Sequence, residues 1–312
     1  MSAPTQQDVR PDVAVSPSVT LGDKVRGALA RHRRRTSRVA SPVAAILKYA
    51  SLVVAVLVVT IPLVTLLFAS LKTAEEYATT GPLDPPENWL NLANYVRVVT
   101  EGKILLAFGN TVVILVLAVV GAITFGTMVA YALDRFRFRG RKIVMALFLT
   151  AALVPAVTTQ VATFKIINFL GIFNTRWAMV LLFVGTDIIA IQIFIQFMGS
   201  ISRSLDEAAM LDGANRVRIY RSIILPLLRP AIATVVIIKG IAIYNEFYLP
   251  FLYMPSPDLP VLSTVLFRFK GPMGSQWELI AACTIIVIIP TLLAFLFLQR
   301  FIYSGLTSGA TK

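Results

Sequence analysis

The stretch Glu207–Pro230, EAAMLDGANRVRIYRSIILPLLRP, is polar and arginine-bearing, yet it lies between two long apolar runs. Its residues predict two short helices joined by a tight turn. Ser204, Leu205, Asp206 and Glu207 fit the S-x-x-E capping box, in which the serine caps a helix and the glutamate reaches back to its amide. That helix should run through Ala208, Ala209, Met210 and Leu211 and stop at Asp212-Gly213, because glycine tolerates the left-handed turn common at helix ends. Asn215 can cap a second helix, with Val217, Tyr220 and Ile224 on an apolar stripe and Arg218 and Arg221 on another face. Pro226 should end it, and Pro230 should open the next apolar run.

What surrounds this elbow sets its solvent. Apolar residues make up 57% of the chain and the mean hydropathy is +0.77, well above a soluble domain. Six runs are long enough to cross a bilayer, which needs about 20 apolar residues. They are roughly 49–71, 104–133, 143–164, 177–198, 231–253 and 279–298. The first is too long for a signal-peptide core and reads as an uncleaved span. The fold class expected is therefore all-α and polytopic, with six transmembrane helices and a helix-turn-helix elbow.

Charge then orients the spans. The chain carries 29 Lys/Arg against 16 Asp/Glu. Of the basic residues, 21 fall in segments 1–48, 134–142, 199–230 and the tail after Leu298, and seven fall in 72–103, 165–176 and 251–278. Lys and Arg accumulate on the cytoplasmic side, so both termini and the elbow are expected there. This also explains the basic balance without nucleic acid. Residues 1–42, with Arg33, Arg34 and Arg35 beside the single histidine His32, read as a disordered basic cytoplasmic arm that either meets anionic lipid or serves as a topology determinant. Residues 43–312 form the membrane domain. In segment 72–103 the prolines at 82, 85 and 86 forbid a regular helix, and a short interfacial helix is expected from about Leu92.

Familiar catalytic motifs are missing from the sequence. Gly121 and Gly126 have the glycine spacing of a phosphate loop, but Thr127 stands where the lysine belongs. With Ala118, Ala122 and Ala130 on the same run, a small residue every four positions suits close helix packing instead. One cysteine, Cys283, allows neither an internal disulfide nor a cysteine metal cluster.

E-A-A-x-x-D-G-A followed by L-P-x-x-x-P, supplied by Glu207, Ala208, Ala209, Asp212, Gly213, Ala214, Leu225, Pro226 and Pro230, resembles the EAA loop of permease subunits of binding-protein-dependent ABC importers. Tyr244-Asn245-Glu246-Phe247 and the tail from Gln299-Arg300-Phe301 through Gly305–Lys312 are similar to the maltose-type carbohydrate permeases. The resemblance covers residues 48–312, with two departures: Arg203 stands where the family usually has proline, and the tail stops at Lys312 without the glycine often found beyond it. It implies that the elbow docks in a groove of a cytoplasmic ATPase subunit through Glu207, Ala208, Ala209, Asp212, Gly213, Ala214 and Pro226. It also implies that the tail, with Ser308, Gly309 and Lys312, reaches towards the ATPase interface. No cofactor is expected on this chain; ATP and Mg would sit on the partner ATPase. The implied partners are two ATPase subunits, a second related permease, an extracellular solute-binding protein and membrane lipid.

Charges inside spans point to a translocation path. Asp187 and Lys239 fall near the midplane of spans four and five, where they either line the path or pair with each other. Asn245 and Glu246 lie further out and either touch cargo or serve capping and packing. The function expected is a sugar or oligosaccharide importer subunit. The alternatives are an ion-coupled secondary transporter using Asp187, Lys239 and Glu246, or an importer of a glycerol phosphate or polyol with the same architecture.

Overall fold

The computed structural model describes residues 42–309 except 186, 187, 272 and 273, without the side chains of residues 42, 156 and 298–309. The reading of residues 1–41 therefore lies outside the described residues. Helices account for most of what is described, and a two-residue hairpin, Lys270–Gly271 with Gly274–Ser275, is a minor addition. The chain divides into two units after Ile61.

The first unit contributes the helical residues 42–61, whose large apolar side chains, Leu52, Val54 and Val59 among them, are exposed. Apolar side chains left outside in this way suit lipid as the surrounding solvent.

The second unit begins at Pro62, inside the helix Pro42–Leu71, and is organised around the 32-residue helix Ile104–Arg135. Against it pack Arg176–Val184, Ile188–Gly199 and Arg229–Asn245. The small-residue ridge lies in these contacts: Ala118, Ala122, Gly126 and Ala130 are all buried. A Cβ on Gly121 would fall 2.5 Å from Val184 Cγ2, and one on Gly126 would fall 3.2 Å from the Phe194 ring. Glycine here lets two backbones approach, as the spacing implied.

Three helices, Val43–Leu71, Ile104–Arg135 and Trp277–Phe297, are individually long and apolar enough to cross a bilayer. Three bent pairs bring the count up to six if each is one span: Arg141–Leu153 with Val157–Phe169 at 94°, Arg176–Val184 with Ile188–Gly199 at 42°, and Arg216–Leu227 with Arg229–Asn245 at 70°. The sequence runs 143–164 and 177–198 thus break where continuous helices were expected. Val154 precedes Pro155 and is extended (φ −78°, ψ 118°), because the proline ring disfavours helix in the residue before it. Gly185 leaves the helical region at the second break (φ −46°, ψ 165°). The run 231–253 also divides, into Arg229–Asn245 and Tyr248–Tyr253.

At the end remote from the elbow, the prolines keep 82–91 non-helical and the expected helix appears as Ala93–Glu101. It is tied to the end of the first helix. The Asn94 side-chain amide donates to the carbonyls of Ser70 and Lys72, and the Ser70 and Tyr95 hydroxyls are 2.7 Å apart. Buried Lys72 donates to Thr80 Oγ1 and the Gly81 carbonyl, which satisfies two of its three protons. Val98, Leu262, Phe269, Leu279 and Cys283 share the core beneath.

A candidate coupling elbow and transport path

The first elbow helix is Ser204–Leu211, and its end is built as the sequence suggests. Gly213 is left-handed (φ +81°), its N–H donates to the Met210 carbonyl, and the Ala214 N–H donates to the Ala209 carbonyl. These two bonds form a Schellman motif, which satisfies carbonyls that the last helical turn leaves open. Asn215 then caps the second helix, its Oδ1 accepting from the Arg218 N–H at 2.8 Å.

The start differs from expectation. Arg203 already has helical backbone angles, so Ser204 is the first residue inside the helix and cannot act as its cap. Ser202 Oγ accepts from the Ser204 N–H instead, at 3.3 Å. Glu207 therefore makes no capping bond among the described residues and stands exposed. The apolar stripe differs too: Ile219 and Ile224 are buried, Tyr220 is half-buried and Val217 is 72% exposed. Residues 220–224 form a π turn, which changes the period that a 3.6-residue stripe assumes. Pro226 does not end the helix, which continues to Leu227; the bend comes at Leu228, between the two prolines.

The inner face of the elbow grips the end of Ile104–Arg135 in two layers. In the upper one, Thr127 Oγ1 and the Tyr220 hydroxyl are 2.8 Å apart, the Tyr131 and Tyr220 rings lie 5.2 Å apart, and the Tyr131 hydroxyl donates to the Arg216 carbonyl. In the lower one, Arg135 Nε is 2.9 Å from Asp206 Oδ2 and Arg135 Nη1 is 3.2 Å from Asp134 Oδ2. Arg135 Nη2 donates to the Ile201 carbonyl, and Arg203 Nη2 donates to the Asp134 carbonyl. Although close, the Nε contact misses hydrogen-bond geometry and Asp206 Oδ1 has no donor among the described residues, so the pair acts mainly through charge. None of Asp134, Arg135 and Arg203 was a sequence candidate for the elbow, and Asp206 was read only within the capping box.

The outer face is different in character. Glu207, Ala208, Asp212, Gly213 and Pro226 are exposed, and so are the apolar Leu211 (90%) and Val217. Ala209 and Ala214 do not share this face. Ala209 is buried in the cluster with Ala130, Phe194 and Ile219, and Ala214 is packed against it. Five of the seven sequence candidates are thus exposed, and Ala209 and Ala214 serve the inner packing.

The candidate path residues are scattered. Asp187 lies outside the described residues. Lys239 is half-buried beside a cavity of about 130 Å³ that Ile189, Ala190 and Val235 also line. Asn245 donates back to the Ile241 carbonyl in its own helix. The Glu246 carboxylate accepts from the Leu249 N–H, and its carbonyl accepts from the Ser263 hydroxyl. These bonds lie at the helix break at 246–247. Ser308 and Gly309 end the last helix, and Lys312 lies outside the described residues. Among the described residues no three His, Cys, Asp or Glu side chains group to hold a metal.

Apolar helices, broken spans and an elbow with one face packed on the spans and one face exposed define a polytopic membrane protein. Residues 122–307 match the family model described as binding-protein-dependent transport system inner membrane component, and this chain belongs to that family. It is a transport component and not an enzyme. Over 255 residues it is 31% identical to the arabinooligosaccharides transport system permease protein AraQ of Halalkalibacterium halodurans, covering 80% of this chain and 90% of that one. It is 34% identical over 206 residues to the galactooligosaccharides transport system permease protein GanQ of Bacillus subtilis, covering 65% and 72%. It is 31% identical over 225 residues to the trehalose/maltose transport system permease protein MalG of Thermococcus litoralis, covering 71% and 81%. Its fold is similar to that of a chain in the crystal structure of a bacterial ABC transporter that imports the acidic polysaccharide alginate. The TM-score is 0.72 at 20% identity, covering 91% of this chain and 99% of that one.

Proposed function

We propose that this chain is one of two related permease subunits of an ATP-driven importer whose cargo is a sugar or oligosaccharide handed over by an extracellular binding protein. The observation that carries the coupling half is the elbow's outer face, where Leu211, Val217 and the Glu207–Ala208 edge are exposed around the Gly213 turn. Isolated exposed leucines are ordinary, but Leu211 and Val217 flank a rigid Schellman turn in the chain, one on either side of Gly213, and give a partner apolar side chains on both arms of the elbow. The partner is a cytoplasmic ATPase subunit, which binds ATP and Mg, and the elbow and both termini face it. The carbohydrate half rests on the cargo named for the relatives above. Asp187 and Lys239 remain candidates for the path, and Ser308, Gly309 and Lys312 for the tail's approach to the ATPase.

The test is uptake by proteoliposomes holding both permeases and the ATPase, supplied with binding protein and labelled arabino-, galacto- or malto-oligosaccharides. Uptake that needs internal ATP is expected. Uptake driven by an ion gradient without ATP would overturn the coupling, and uptake of glycerol phosphate with none of the sugars would overturn the cargo.

A further inference from the structure

The elbow touches three spans, but the contacts differ in kind. Towards Ile188–Gly199 and Arg229–Asn245 it presents apolar side chains, such as Ile219, Ile224 and Leu228 against Phe194, Met198 and Val235. Apolar contact is non-directional, so such surfaces can slide with little loss while they stay dry. Towards Ile104–Arg135 the elbow adds to its apolar contact with Ala130 and Tyr131 two directional bonds, Thr127–Tyr220 and Tyr131–Arg216, and the buried Arg135–Asp206 charge pair. Arg135 and Asp206 side chains are 3% and 6% exposed, so breaking them apart leaves charge uncompensated in a dry place. The chain is meanwhile jointed on the fifth-span side of the elbow. The π turn at 220–224 and the 70° bend at Leu228 separate it from Arg229–Asn245. A π turn and a bend between two prolines are both places where a helix yields.

We propose that the elbow moves as one body with the second span, Ile104–Arg135, and hinges against the fifth span to which it is chemically joined, with Arg135 as the positioning residue that locks elbow to span. This rests on the reading that an ATPase drives the elbow. Displacement of the elbow then carries the small-residue ridge of the second span past the fourth. Arg135 sets the register of the lock because one guanidinium meets Asp206 on the elbow, Asp134 on its own helix and the Ile201 carbonyl at the elbow's approach. A charge shared across such a joint fixes which residues face each other, a role better attested for buried ion pairs than net stabilisation.

The experiment measures spin-label distances in the full importer, with Cys283→Ala as background. One label pair, Leu205→Cys with Val120→Cys, reports elbow against second span. The other, Leu205→Cys with Ile241→Cys, reports elbow against the fifth span. With Mg-ATP and vanadate added, the second distance should shift and the first should not. In Arg135→Met the first distance should shift or broaden beyond its nucleotide-free width, and Arg135→Lys should restore much of the lock. The double variant Arg135→Met/Asp206→Leu, which leaves no elbow charge stranded, should recover abundance and still lose the lock. A first distance that shifts in the parent as much as the second would overturn the one-body proposal. So would a double variant whose first distance stays fixed, since burial alone would then suffice. If neither distance responds to Mg-ATP and vanadate in the parent, the reading that an ATPase moves the elbow fails instead.

Discussion

Arg135 Nε and Asp206 Oδ2 lie 2.9 Å apart in a joint almost closed to solvent, and a second carboxylate, Asp134, shares the same guanidinium. Two acidic side chains around one arginine make the joint intolerant of single losses. Asp206→Ala leaves Arg135 with Asp134 and should be the milder change. Arg135→Met strands both carboxylates and should cost about 3–5 kcal/mol. Asp206→Leu added to Arg135→Met should recover part of that, a coupling visible in a double-mutant cycle on thermal stability in detergent. Additive losses would mean that the pair contributes nothing beyond its separate contacts.

Gly213 tests the turn independently of packing. Nothing lies within 4 Å of the position a Cβ would take, so a substitution there meets only its own backbone. Gly213→Ala must hold φ near +81° and should lose about 1 kcal/mol, whereas Gly213→Asn should lose less. Gly213→Pro cannot reach that φ at all and should abolish uptake and retention of the ATPase while the protein still inserts. Normal uptake in Gly213→Pro would exclude the elbow from coupling.

These two sites also show where the sequence is readable. Asn215 and Gly213 act on backbone groups within three or four residues, so their roles follow from local chemistry alone. Ser204 and Glu207 satisfy the same kind of rule, yet the chain turns helical one residue earlier and Ser202 takes the work. Val217 was misplaced because the π turn at 220–224 is set by tertiary contacts of Tyr220 with Thr127 and Tyr131, and no periodicity anticipates it. Arg135 and Asp206 are far apart along the chain and each sits among other charges, so their meeting needs the fold. The break before Pro155 could have been found, since a residue preceding proline resists helix. The apolar run masked it because hydropathy does not register backbone angles.

Orientation rests on the distribution of Lys and Arg. A reporter active only in the cytoplasm should work when fused after Gly140 or Gly213 and stay silent after Pro86 or Pro257. The reverse pattern would place the elbow on the outer side, away from any ATPase.

The second and fourth spans approach closely at Gly121, where a Cβ would sit 2.5 Å from Val184 Cγ2 and 3.1 Å from Val184 Cγ1. Val184 is β-branched at the end of its helix and has little freedom to turn away. Gly121→Ala should therefore push the helices apart and lose about 1–3 kcal/mol, the usual range for overpacking. The same change at Gly109, inside the same helix with no atom within 4 Å of the Cβ position, should instead stabilise by about 0.4–1 kcal/mol, because alanine loses less freedom on folding. Gly121→Ala combined with Val184→Ala restores room at the contact and should recover most of the stability. Abundance in the membrane and melting temperature in detergent report all three variants. If Gly109→Ala and Gly121→Ala are equally harmless, the Gly121–Val184 approach does not set the spacing of these helices. If Val184→Ala fails to rescue Gly121→Ala, the cost lies in the backbone of the second span and not in its contact with the fourth.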